Sequence, residues 1–220
     1  MDRKGRSYGE GCAAAHALDL VGERWALLVV RELVLGPKRF TDLRTGIPAA
    51  SPNVLSQRLR EMESAGVLRR RRLAPPAASS VYELTEWGRE LEPVLQSLGR
   101  WGARSPAMPS GAPISTAALI LALRTMADTS AATGPAVSVE LHLGEERFRV
   151  RAGRDQVEIE PGPAADAAAV MVTDTPTLNA LLFGGRELGE ALDAGDARVE
   201  GDPAAFARLQ GLFPLPAPAA

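Results

Sequence analysis

"SPNVLSQRLREMESAGVLRRRR", residues 51–72, decides the reading of the first half of this chain. Ser51 is a residue type that caps helix N-termini, and Pro52 fits the first helical position, where no backbone N–H is needed. From there Leu55, Leu59 and Met62 recur at helical spacing on one face. Asn53, Ser56, Gln57 and Arg60 fall on the other, with Arg58 at the flank. Just upstream, FTDLRTGI (40–47) reads as a shorter helix with Phe40, Leu43 and Ile47 turned inward. A short helix, a turn and a second helix with an amide-and-arginine face is a helix-turn-helix. Amides and guanidinium groups make paired hydrogen bonds to adenine and guanine edges in the major groove. Ser51 and the free N–H groups beside it suit a backbone phosphate. A solvated helix face would show the same residues, so the segment that follows carries the decision.

VLRRRRLAPPAASSVYELT (67–85) reads as strand, loop, strand, with the loop at APPAASS and Tyr82 and Leu84 alternating with polar neighbours. A hairpin directly after such a helix is a wing, with arginines placed to reach phosphates. Phosphate contacts supply affinity and base contacts supply specificity. The candidate DNA-contacting residues are therefore Ser51, Pro52, Asn53, Ser56, Gln57, Arg58 and Arg60 on the helix and Arg70 and Arg72 on the wing. Arg39 joins them, open between a backbone contact and a part in holding the two helices together. Arg24 and Arg31 read as belonging to a solvated or partner-facing helix surface.

The charge distribution agrees. The 220 residues carry a net charge of −2, yet residues 1–104 hold 17 Lys and Arg against 12 Asp and Glu, and residues 105–220 hold 8 against 15. Between 37 and 72 there are 9 basic and 3 acidic side chains, which places the positive charge where DNA would lie. A basic front and an acidic rear point to two domains, and SPAMPSGAP (105–113), rich in proline and serine, reads as their linker. The expected layout is a DNA-binding and dimerisation domain over 8–104, the linker, and a second domain over 114–214. One cysteine excludes an internal disulfide and suits a reducing cytosol. MDRKGRSYGEG lacks the apolar run of a signal peptide, and WALLVV is too short to span a bilayer, so a cytoplasmic protein with no membrane partner is expected.

Around the helix-turn-helix, CAAAHALDLVG (12–22) and RWALLVVRELVLG (24–36) read as helices, the latter with apolar residues at 25, 28, 29 and 33. A last helix over 86–103 is capped by Thr85 and apolar at 87, 91, 94, 95, 98 and 101. Cys12, GERWALLVVRELVLGPKRFTDL (22–43), SPNVLSQRLREMESAGVL (51–68) and YELTEWGRELEPVLQSLGRWG (82–102) together resemble the HxlR family of bacterial transcription regulators. Its pattern is a cysteine, a G-x-x-W helix start, G-x-x-R-F-x-[ED]-L, S-x-x-x-L-[ST]-x-R-L-[RK]-x-L and a Y-x-L-T-x-x-G wing exit. Met62 stands where leucine is usual, a volume-conserving change. The resemblance implies a homodimeric winged helix whose contact helices here would be 12–21 and 86–103, with Trp87 and Trp101 serving both core and contact. It also implies a role for Cys12, since in some members the cysteine at this place senses electrophiles or oxidants. His16, one turn on, could help form the thiolate. Against this stands a small buried hydrophobe, which is what most free cysteines are. Two ligands make no metal site, and no metal or cofactor is expected.

In the second domain ISTAALILALRTMADTS (114–130) reads as a helix capped by Ser115 or Thr116. Val137, Val139, Leu141 and Leu143 alternate on one strand, Phe148, Val150, Val157 and Ile159 on two more, giving three antiparallel strands joined by hairpins. AAVMVTD is a fourth strand, TPTLNALLFGG and RELGEALDAG are short helices, ARVEGD is a last strand and PAAFARLQGLF a closing helix. DTPTLNALLFG and ARVEGDPAAFARL resemble the sterol-carrier-protein-like fold over about residues 115–213. That resemblance implies an antiparallel sheet covered by helices, with an apolar tunnel lined here by Val137, Val139, Leu141, Phe148, Leu178, Leu181, Leu182, Phe183 and Phe206. Apolar alternation alone does not separate a tunnel from a packed core.

The fold class expected is thus α+β: an N-terminal winged helix-turn-helix joined to a C-terminal antiparallel-sheet-plus-helices domain. The function expected is a homodimeric regulator of a double-stranded DNA operator whose C-terminal domain binds an apolar small molecule or supports dimerisation. The alternatives are a constitutive DNA-binding protein with a structural rear domain, or an enzyme or carrier for a hydrophobic substrate. The second domain's sequence shows no triad pattern, metal cluster or phosphate-cradling glycine loop to favour an enzyme.

Overall fold

A computed structural model describes residues 7–74, 79–109, 111–131 and 136–219. Part of the expected wing loop (75–78), Ser110 of the expected linker, the first six residues and Ala220 lie outside the described residues. The chain divides into two compact units, Met1–Leu95 and Gln96–Ala220, so the division falls ahead of the expected linker.

In the first unit, α1 (Ala13–Val21), α2 (Ala26–Leu33), α3 (Phe40–Gly46) and α4 (Pro52–Ser64) precede the hairpin β1 (Leu68–Arg72) and β2 (Ser80–Leu84). α5 (Glu86–Arg89) and the start of α6 (Leu91–Gly102) follow. The apolar periodicity finds its purpose in one core. Val29, Val30 and Leu33 of α2, Leu43 of α3, Leu55, Leu59 and Met62 of α4, and Leu68, Val81 and Leu84 of the hairpin are all buried. Each such side chain withdrawn from water contributes about 1.5–3 kcal/mol before chain entropy is set against it.

Four expectations change here. Phe40 is half-buried instead of turned fully inward. On β2 the fully buried positions are Val81, Glu83 and Leu84, and Tyr82, which forms an isolated bridge with Lys38, is half-buried. The single helix over 86–103 is two, broken at Glu90. Trp87 and Trp101 are surface residues, 49% and 74% exposed, and take no part in the core.

The second unit contains α7 (Thr116–Met126), a 3₁₀ turn (Thr129–Ala131), β3 (Val137–Leu143), β4 (Glu146–Ala152), β5 (Val157–Pro161), β6 (Ala169–Thr173), α8 (Thr175–Phe183), α9 (Leu188–Asp193), β7 (Ala197–Gly201) and α10 (Pro203–Gln210). Of the two caps expected for α7, Ser115 fills the place, accepting from the Ala118 amide, and Asp174 and Asp202 likewise accept from the amides of Thr177 and Ala204. The strands form one sheet in the order β5-β4-β3-β6-β7. The expected antiparallel sheet is corrected to a mixed one, since β6 runs parallel to β3 with Val139 beside Ala169 and Leu143 beside Thr173. The cause is the connection at 162–168, which crosses the polar face of the sheet. There the Glu140 carboxylate accepts from the Ala164 amide at 2.7 Å, and Asp166 accepts from Arg151 at 3.1 Å and Ser138 at 3.4 Å.

Helices α7 and α10 cover the apolar face, α10 against β3 and β6 and α7 against β5. Of the nine residues expected to line a tunnel, Val137, Val139, Leu141, Phe148, Leu178, Leu181 and Phe206 are buried in this core, and Leu182 and Phe183 are half-buried. An open cavity of about 910 Å³ lies instead over Ser138, Arg151, Asp155, Gln156, Glu158 and Asp166, and of the nine it includes Val137. Ahead of α7, Arg100 donates to the Thr125 carbonyl and Arg104 Nε to the Ala217 carbonyl at 3.2 Å, which holds the residues after Leu95 within the second unit.

Candidate nucleic-acid interface

The α3–turn–α4 pair is seated on a buried charge. Glu32 of α2 is wholly buried, and its carboxylate accepts from Arg31 at 2.9 Å and from Lys38 Nζ at 2.8 Å. Arg31 also donates to the Gly46 carbonyl at 3.2 Å, so it anchors the end of α3 and is not a solvated helix residue. A Cβ at Gly46, the last residue of α3, would lie 2.3 Å from Glu32 Oε2, so any larger residue there would displace the paired carboxylate. Lys38 adds a second tie, exchanging backbone hydrogen bonds with Tyr82 of the wing at 3.0 and 2.8 Å.

α4 starts as expected. Ser51 Oγ accepts from the Val54 amide at 3.4 Å, and Pro52 occupies the first turn. Ser51, Pro52, Asn53, Gln57 and Arg60 are exposed and Ser56 is half-buried, with Asn53, Gln57 and Arg60 aligned at i, i+4 and i+7. Arg39, at the N-cap of α3, is exposed, and its amide donates to Asp42 Oδ2 at 3.0 Å. Arg58 departs from the expected DNA face. It is 7% exposed, and its guanidinium binds Glu61 on its own helix and Glu23 at 3.3 Å. Its flank position turns inward because two carboxylates wait there, one of them 35 residues away in sequence.

The wing sorts its four arginines by register. Arg69 faces Glu83 directly across the hairpin, and Arg71 faces Val81. Both donate to the buried Glu83 carboxylate, Arg69 at 2.7 Å and Arg71 at 3.0 Å. The Arg71 hydrogen bond, then that of Arg69, holds the Glu83 carboxyl below its ordinary range. A lowered folded-state pKa means that this clamp is present at neutral pH and is lost only as pH falls through the lowered value. Arg70 and Arg72 point to the opposite face, are exposed, and make no ion pair among the described residues.

Glu32, Glu61 and Glu83 were not among the residues selected from the sequence. Glu61 was findable, since it stands four residues after Gln57 and three after Arg58, the spacings at which helix side chains meet. Glu83 depends on strand register and Glu32 on three separate elements.

Cys12 is the N-cap of α1 and is exposed, so within the chain it is not a buried packing residue. The backbone amides of Ala15 and then Ala14 hold its thiol below the ordinary pKa. His16 is also exposed. No group of three or more His, Cys, Asp or Glu that could hold a metal occurs among the described residues, and no described helix is long and apolar enough to cross a membrane. On the two expected contact helices, Leu18, Trp87, Val94, Leu98 and Trp101 are exposed.

The profile of the family described as HxlR-like helix-turn-helix matches residues 20–108, and that of the alkyl sulfatase C-terminal domain matches 113–219. The chain is similar to the HTH-type transcriptional regulators YdeP and YvaP of Bacillus subtilis (strain 168). Identity to YdeP is 37% over 97 residues, 43% of this chain and 74% of that one. Identity to YvaP is 35% over 85 residues, 39% of this chain and 79% of that one. Among solved structures, the reduced form of the transcriptional regulator YodB from B. subtilis is 31% identical, covering 46% of this chain and 100% of that chain with a TM-score of 0.40.

Proposed function

Because the chain belongs, through its residues 20–108, to the HxlR-like helix-turn-helix family, we propose that it is a homodimeric transcription regulator that reads a double-stranded DNA operator through α4 and grips its phosphates through the wing. One observation carries this reading: Asn53, Gln57 and Arg60 stand in a row on the exposed face of a capped helix, beside a hairpin whose register leaves Arg70 and Arg72 unclamped. The exposed apolar side chains Leu18 on α1 and Val94, Leu98 and Trp101 at i, i+4 and i+7 of α6 support a second copy as the partner, since exposed apolar side chains favour burial. A two-fold dimer places its reading helices about 34–36 Å apart, one turn of the duplex, on an inverted repeat. Selection from a pool of randomised duplexes with the full-length protein tests this. Enrichment of an inverted repeat supports it, and binding without any enriched sequence overturns it.

Two effector readings extend the proposal. YodB has been solved bound to quinone and after diamide treatment. In this chain the exposed Cys12 thiol, biased toward thiolate by two helix amides, supports a similar response. The second unit, a helix-covered sheet, supports the sterol-carrier-protein-like expectation and an apolar effector. That the nine candidate lining residues mostly fill their own core favours the rival reading, a purely structural unit. The match to an alkyl sulfatase C-terminal domain concerns a domain and assigns no catalysis, and the curated relatives are regulators. One operator-release assay separates these readings. Diamide should release the wild type and leave Cys12→Ser bound, while an apolar compound that raises the melting temperature should release both. Equal release of both proteins by diamide removes Cys12 as the sensor. No melting shift with any apolar compound leaves the second unit structural.

A further inference from the structure

We propose that Glu61 is a specificity-determining positioning residue that makes Gln57 a reader of adenine and not of guanine; this rests on the reading that α4 enters the major groove. Gln57 Nε2 donates to Glu61 Oε1 at 3.0 Å, one helical turn along α4. The other carboxylate oxygen of Glu61 accepts from Arg58 Nη1. Arg58 is in turn held at Nη2 by Glu23, 3.3 Å away, and is only 7% exposed. The result is a relay, Glu23–Arg58–Glu61–Gln57, that ties a base-reading amide to the residues between α1 and α2.

The consequence follows from counting hydrogens. A glutamine amide has two N–H donors and one carbonyl acceptor. Adenine presents an acceptor at N7 and a donor at N6, whereas guanine presents two acceptors, N7 and O6. With one Nε2 hydrogen committed to Glu61, the remaining hydrogen and Oε1 match adenine. A guanine pairing would need both hydrogens, and Glu61 already occupies one. The carboxylate itself would be unwelcome near phosphates, and the ion pair with buried Arg58 offsets that charge. Arg58 therefore acts on DNA through Glu61 and does not touch it.

The full-length protein and its selected operator provide the test. Gln57→Ala first locates the base that Gln57 reads, as the position in each half-site where adenine preference vanishes. At that position the wild type should prefer adenine over guanine by roughly five- to 150-fold. Glu61→Ala should narrow the ratio by improving guanine binding more than it weakens adenine binding. Glu61→Met, an unbranched side chain of similar length with only a weakly accepting sulfur, should do likewise if the alanine variant fails to fold. Glu61→Gln retains an acceptor for the Gln57 amide and should restore the preference. All three variants remove the same carboxylate charge, so affinity for random DNA should shift alike in each, and the difference between Glu61→Gln and the other two reads the acceptor alone, a split that a merely structural residue would not produce. If the acceptor-free variants lose adenine and guanine operators equally, or keep the wild-type ratio, the proposal is overturned while Gln57 remains a reader. If Gln57→Ala alters no position, the major-groove reading of α4 fails, and the proposal falls with it.

Discussion

Replacing Arg70 and Arg72 together by alanine should weaken binding to operator and random DNA alike, by roughly 10- to 100-fold at physiological salt. The slope of log affinity against log salt should flatten by about two for each chain, one for each phosphate that is no longer neutralised. These arginines are exposed and make no ion pair among the described residues, so their charge is available to phosphate. The double change at Arg69 and Arg71 should weaken DNA binding less, because both guanidinium groups already bind Glu83. It should instead cost fold stability, since the Glu83 carboxylate, 6% exposed, would lose both partners. Filter binding at two salt concentrations distinguishes the pairs. Equal losses would show that register does not divide the wing's charge.

Gly88→Ala should destabilise the first unit by about 3 kcal/mol, read as a lowered urea midpoint. A Cβ at Gly88 would lie 1.9 Å from the Val67 carbonyl oxygen, an overlap with backbone that no rotamer relieves. That carbonyl is in use. It accepts from the Thr85 amide at 3.1 Å and the Thr85 hydroxyl at 3.2 Å, while Thr85 Oγ1 caps α5 by accepting from the Gly88 amide at 3.0 Å. Adding one methyl group therefore pushes α5 from the start of β1 and strains the base of the wing. Gly66→Ala is the contrast: φ is +77° there with nothing within 4 Å of the added carbon, so only the left-handed backbone cost of about 1–2 kcal/mol applies. A Gly88→Ala protein that melts like wild type would mean that α5 does not rest on Val67.

Much of the interface is local and was therefore legible. Ser51, Pro52 and the Leu55–Leu59–Met62 stripe define the start and inner face of α4, and a helix's faces follow from its own period. The hairpin after it, the charge of its first strand and the alternation of β3 and β4 are likewise properties of neighbouring residues. Thr85 and Gly88 could be noted as a pattern, but the reason for the glycine lies at Val67, outside that pattern.

By itself, then, the sequence determined the order of most elements, the inward faces of α4 and β3 and the concentration of basic charge at the helix-turn-helix and wing. Tertiary structure decided the fate of each charge. Arg58 looks like a DNA-facing residue until Glu23, brought in from the segment between α1 and α2, draws it inward. Among four consecutive arginines the sequence selects Arg70 and Arg72, but only the register with β2 places Glu83 against Arg69 and within reach of Arg71. β6 reads as one more antiparallel strand until the crossing at 162–168 sets it parallel to β3. In each case the outcome depends on groups distant along the chain, whose pairing energy exists only once the chain is folded, whereas periodicity and capping act within a few residues.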